Sequence, residues 1–151
     1  MQFISDKEFK EAEKIVQEEL EDAWEFNVGD LYMLKSDLET NPEHANIYAV
    51  SLIQKELLEK DFPHLKKEKM FHLWTEGELR TYIEKKTGNS VDLDYFANNI
   101  KYSNDGYKIR RFNIENEKTK CYPNLGHSAI HAYWQVTQKV ARMGGANNGK
   151  W

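Results

Sequence analysis

Phe9, Ala12, Val16, Leu20 and Ala23 recur at spacings of three and four, which lays one apolar stripe along a helix. Ser5 followed by Glu8 makes a capping box, so this helix is predicted to begin at Asp6. Gly29-Asp30 breaks the pattern. Leu31, Leu34 and Leu38 then predict a second short helix that stops at Asn41-Pro42. Between Glu43 and Leu58 apolar residues fall on more than one side, among them Ile47, Val50, Leu52, Ile53 and Leu57. That stretch is predicted to be the central buried helix. Asp61-Phe-Pro63 interrupts it.

Thr75 and Glu78 form a second capping box, Leu79, Tyr82 and Ile83 give a helical face, and Gly88 follows Lys85-Lys86-Thr87 as a C-terminal stop. Leu93, Phe96, Ala97 and Ile100 sit at i, i+3, i+4 and i+7, which predicts a further short helix whose positive end suits Asp92 and Asp94. Tyr107–Ile114 and Thr119–Tyr122 read as the two strands of a hairpin. His127–Met143 is predicted to be the last helix, with Ile130, Trp134, Thr137 and Ala141 inward. The expected fold is therefore mainly α with one small antiparallel β-hairpin. It divides into an acidic helical part, 1–63, a part sharing its core, 64–143, and a flexible tail, 144–151.

Composition adds a core and a compartment to this outline. Apolar residues make up 40% and aromatics 13%, more than a disordered chain carries, so a packed interior is expected. Trp24, Trp74 and Trp134 are assigned to that core, and Trp151 to an exposed end. A single cysteine, Cys121, rules out an internal disulfide framework and fits a reducing compartment. No run approaches the roughly 20 apolar residues that span a bilayer, so an intracellular, cytoplasmic protein is expected.

Charge changes the picture more. Residues 1–63 hold six lysines against sixteen acids, a balance of −10; residues 64–151 hold fifteen Lys and Arg against nine acids, a balance of +6. An acidic half and a basic half on one chain point to an anionic partner for the second half or a basic partner for the first.

Helix, turn, helix and charged hairpin over Thr75–Tyr122 resembles the order of elements in a winged helix-turn-helix. The resemblance covers about a third of the chain and implies a recognition helix in the major groove with a basic wing on phosphates. On it, Tyr95, Asn98, Asn99 and Lys101 would present the recognition face. Lys108, Arg110, Arg111, Lys118 and Lys120 would form the wing. Arg110 and Arg111 are strand neighbours and point to opposite faces; the pattern leaves open which one is inward.

The expected activity is non-enzymatic nucleic-acid binding, to DNA rather than RNA. The alternative is an inhibitor or adaptor that presents Glu11, Glu18, Glu19, Glu21 and Asp22 to a basic protein. Cys121, His127 and His131 have the spacing for three zinc ligands, but no Cys-x₂-Cys partner exists, so no metal or other cofactor is expected. The chain has no Gly-rich phosphate loop, nucleophile elbow or dinucleotide fingerprint.

Overall fold

The two capping boxes act where the sequence places them. In the computed structural model, which describes residues 2–60, 68–96 and 106–143, helix α1 runs Asp6–Glu11 with Ser5 and Glu8 bonded reciprocally. The predicted single helix is interrupted: Ala12 ends α1 in extended conformation, and α2 starts afresh at Lys14–Ala23. The apolar stripe survives the break, with Phe9, Val16 and Leu20 all buried.

From Leu31 onward the structure corrects the expected fold class. The described chain is 50% helical and 22% strand and carries two three-stranded antiparallel sheets, a mixed α/β architecture and not a mainly helical one with a single hairpin. Leu31–Leu34 is strand β1 and not a helix. It is central in the first sheet, between β2 (Tyr48–Ala49) and β3 (Met70–His72), with Tyr32 opposite both Tyr48 and His72. Burial of Tyr32 and Met33 on both sides of this strand explains its continuous apolar run. Helix α3 follows at Lys35–Thr40.

The predicted central helix is also reassigned. Only Leu52–Lys60 is helical, as α4, and none of its residues is buried; Leu52, Ile53 and Leu57 are exposed. The buried helices are instead α5, Glu76–Thr87, and α6, Ala129–Met143. Gly88 closes α5 in the left-handed region, φ +68°, as its sequence position indicated.

The largest correction falls on the expected recognition helix. Ser90–Phe96 is strand β4, which pairs over seven residues with β5, Gly106–Phe112; β5 pairs in turn with β6, Thr119–Tyr122. The hairpin is present, but it belongs to a sheet, with no helix between α5 and β4 to enter a groove. Asn98, Asn99 and Lys101 lie outside the described residues, as do Trp151 and the tail.

One continuous core joins both halves. Phe9 packs edge-on against Phe71 at 5.2 Å and stacks with Trp134 at 6.0 Å, so α1, β3 and α6 meet at one point. No described helix is long and apolar enough to cross a membrane.

Gly106 opens β5 at φ +149°, and a Cβ there would lie 2.8 Å from the Gly126 carbonyl oxygen. That oxygen accepts the Tyr107 N–H at 2.7 Å, so it cannot retreat cheaply. Gly106→Ala is expected to cost about 1–3 kcal/mol, read as a fall in urea midpoint.

Candidate functional site

The sheet β4–β5–β6 decides where the predicted wing residues point. Ile109 and Arg111 are buried; Arg110 and Phe112 are exposed, so Arg111 is the inward arginine. At 1% exposure, with its guanidinium 5.8 Å from the Tyr122 ring, Arg111 cannot reach a phosphate. Arg110 does face solvent, but it lies opposite Asp92 and makes an ion pair with Asp94 at 3.0 Å. Asp94 sits opposite Lys108 as well. The two aspartates thus occupy the same outer face as the cations and largely cancel it. Lys118 and Lys120 stay exposed, and Tyr95, also exposed, bonds His127 Nδ1 at 3.0 Å.

The acidic residues divide differently. At least four of the sixteen acids of residues 1–63 meet the second half of the chain: Glu19 meets Lys86 at 3.2 Å, Glu25 meets Lys85 at 2.7 Å, Glu13 meets Arg142 at 2.8 Å, and Glu8 bonds His131 at 2.6 Å. Part of the opposite charge of the two halves is thus paired within the fold. Glu11, Glu18 and Asp22 remain on the outer side, and Glu21 is half-buried.

Where α2 ends, the chain encloses a cleft of about 590 Å³. One wall is Asp22 to Asp30, at the C-terminus of α2 and in the loop beyond it; the other is Trp74 and three successive turns of α5, with Glu78, Tyr82 and Lys86. Trp24, Trp74 and Tyr82 supply aromatic surface. The Tyr82 hydroxyl is buried and meets no hydrogen-bond partner among the described residues. Burial pushes its titration upward, with the Glu19 carboxylate adding to the effect, so it is a neutral donor awaiting an acceptor.

Behind the cleft stands His72, which sequence reasoning did not single out as a site. Its ring stacks on Trp24 at 4.4 Å and 7°. Nδ1 lies 2.8 Å from the Leu31 carbonyl oxygen, and Nε2 lies 2.5 Å from Glu78 Oε2. Both ring nitrogens therefore face acceptors. The Leu31 carbonyl can only accept, so Nδ1 carries the proton there and Nε2 is turned to Glu78. Burial pushes the Glu78 carboxyl up, but the hydrogen bond and charge of His72, together with the bonds from Thr75, outweigh it and hold it below the ordinary carboxylate range. Asp30 completes the cluster: its Oδ2 accepts from Trp24 Nε1 at 2.8 Å and from the Asn27 N–H at 2.9 Å. Ligand atoms of Asp30, His72 and Glu78 all lie within 4.8 Å of one another, which no other trio of His, Cys, Asp or Glu among the described residues achieves.

Cys121, His127 and His131 are not brought together. Cys121 is exposed on β6 and not a buried hydrophobe, while His131 Nε2 is held by Glu8 and its Nδ1 by Ser128 at 2.7 Å. Glu8 repeats the construction of Glu78, capping α1 with one oxygen and binding a histidine with the other. Comparison of the chain with protein-family models, with curated proteins and with solved structures finds no match in any of the three.

Proposed function

We propose that the protein is a non-enzymatic binding module for a basic protein, whose lysine or arginine side chain enters the cleft at the end of α2. The cleft itself carries this reading: aromatic walls are joined to the carboxylates of Asp22, Asp30 and Glu78, while Glu25 is engaged by Lys85 and Lys86 by Glu19. Three further features favour a cation. The C-terminus of α2 brings its negative dipole end here, with no basic residue in its last turn. Trp24 and Trp74 offer ring surface to a cation. Glu11, Glu18 and Asp22 extend the negative surface back along α1 and α2, which steers a basic partner toward the cleft.

Gly77 gives a clean test, because it lines the cleft and a Cβ built on it meets nothing within 4 Å. Gly77→Leu should fill the cleft without disturbing the fold. A short arginine-rich peptide is titrated into the protein at low ionic strength, with tryptophan fluorescence as the signal. Binding is expected to weaken with added salt, and Gly77→Leu to reduce affinity by about tenfold, or 1.4 kcal/mol. No salt-sensitive peptide binding, or binding indifferent to Gly77→Leu, would remove the proposal. Salt-sensitive binding to duplex DNA that is lost when Lys118 and Lys120 become alanine would place the working surface on the second sheet instead.

A further inference from the structure

We infer that Asp30, His72 and Glu78 form a binding site for one divalent first-row transition metal ion at the edge of the cleft. Each of the three residues is anchored by hydrogen bonds to its surroundings. His72 gives its Nδ1–H to Leu31, which fixes the tautomer and turns the Nε2 lone pair toward Glu78. Glu78 spends Oε1 on the Thr75 N–H and hydroxyl, at 3.2 and 2.9 Å, and presents Oε2 to His72. Asp30 accepts on Oδ2 from Trp24 and Asn27, and one of its carboxylate oxygens lies within 4.8 Å of the donors of His72 and Glu78. For His72 and Glu78 this is the outer-shell pattern that orients metal ligands: an imidazole bonded through its far nitrogen, and a carboxylate bonded through its far oxygen.

A metal ion bound here would stand between Nε2 and Oε2, which already face each other. An ion about 2.1 Å from each donor needs the two donors roughly 3.0–3.4 Å apart. A small side-chain rotation supplies the difference, since the trio already lies within 4.8 Å. One imidazole and two carboxylates suit Zn²⁺, Co²⁺ or Mn²⁺ better than Mg²⁺ or Ca²⁺, which take oxygen ligands almost alone. Three protein ligands leave further positions open toward the cleft, where Asp30 and Glu78 form part of the wall.

Co²⁺ is the probe, because its visible absorption reports coordination directly. Full-length protein stripped with a chelator is titrated with Co²⁺, and Zn²⁺ is then added in competition. The expected result is a visible band that saturates at one Co²⁺ per chain and is bleached by Zn²⁺. Asp30→Asn, which keeps the acceptor for Trp24, should weaken binding by at least about tenfold, and so should Trp24→Phe, which removes an outer-shell bond. Far-UV circular dichroism confirms that each variant folds, and Cys121→Ser should leave the titration unchanged. Absence of a band at millimolar Co²⁺ would mean that only a proton bridges His72 and Glu78. A band lost in Cys121→Ser, or kept in Asp30→Asn, would place the metal elsewhere. Each of these results overturns the inference, and none depends on peptide binding.

Discussion

Leu20→Ala is expected to lower the free energy of unfolding by about 2–5 kcal/mol, among the largest effects available from one side chain in this protein. Leu20 has no exposed surface and lies on the stripe that seats α2 in the common core, one turn beyond the equally buried Val16. Truncation leaves a cavity among groups anchored by other contacts, so the site cannot collapse fully. Glu18→Gln, two residues before it, should change stability by no more than roughly 0.5 kcal/mol. Glu18 is exposed, and its nearest cation, Lys14, stands 4.0 Å away with 90% of its side chain in water. Urea denaturation distinguishes the two: the midpoint moves for Leu20→Ala with an unchanged slope, and stays put for Glu18→Gln. Equal effects would mean that α2 is held by charge and not by its stripe.

Local signals were legible in the sequence because their causes are local. A capping box needs only Ser5 and Glu8, or Thr75 and Glu78, three residues apart. Gly88 needs only a helix to end. The final helix was legible too: Ile130, Trp134, Thr137 and Ala141 are all buried along α6. Strands failed where short apolar spacings fit two periods at once. Leu31, Leu34 and Leu38 satisfy a helical spacing, but they span a strand and a separate helix, because β1 gains partners at least 16 residues away in β2 and at least 36 away in β3. Val91, Leu93 and Tyr95 alternate as a strand requires, while Leu93, Phe96, Ala97 and Ile100 mimic a helix. Pairing of β4 with all seven residues of β5 settles the competition by tertiary contact, which local propensity does not see.

The same distinction holds for the sites. Asp92 and Asp94 were assigned to a helix terminus; on a strand they stand across from Arg110 and Lys108 and turn a basic wing into a mixed-charge face. The role of His72 was not legible because its surroundings come largely from distant segments. Leu31 is 41 residues before it, and the Trp24 that stacks on it belongs to the end of α2. Near in sequence are Trp74, edge-on to the ring at 4.9 Å, and Glu78, six residues on, and that spacing matches no motif. The one visible hint was chemical: the second capping box sets a carboxylate at the start of α5, with a histidine just upstream. Part of the charge asymmetry is spent inside the chain. Lys85, Lys86 and Arg142 hold Glu25, Glu19 and Glu13 of the acidic N-terminal segment, while Glu11 and Glu18 stay exposed.

Glu78→Ala should destabilise the metal-free protein by about 3–5 kcal/mol, the range for stranding one member of a buried pair. Two losses combine. The cap of α5 loses the acceptor for the Thr75 N–H, which costs on the order of 1 kcal/mol. His72 is then left with its Nε2 facing no acceptor while its side chain stays only 4% exposed, too buried for water to replace the carboxylate. Glu78→Gln separates the two losses, since glutamine also completes a capping box but carries no charge for the imidazole. Its cost should fall between those of wild type and Glu78→Ala. Adding His72→Phe to Glu78→Gln should recover part of the loss, because phenylalanine keeps the stacking surface for Trp24 and no longer needs a partner at either ring nitrogen. These variants, His72→Phe alone and the wild type, five proteins, are compared by urea denaturation in the presence of a chelator, so that no metal contributes. If Glu78→Ala costs less than about 1 kcal/mol, or the second substitution makes matters worse by its full single-mutant cost, the His72–Glu78 contact is not a coupled pair. The Leu31 carbonyl alone would then be what fixes the ring.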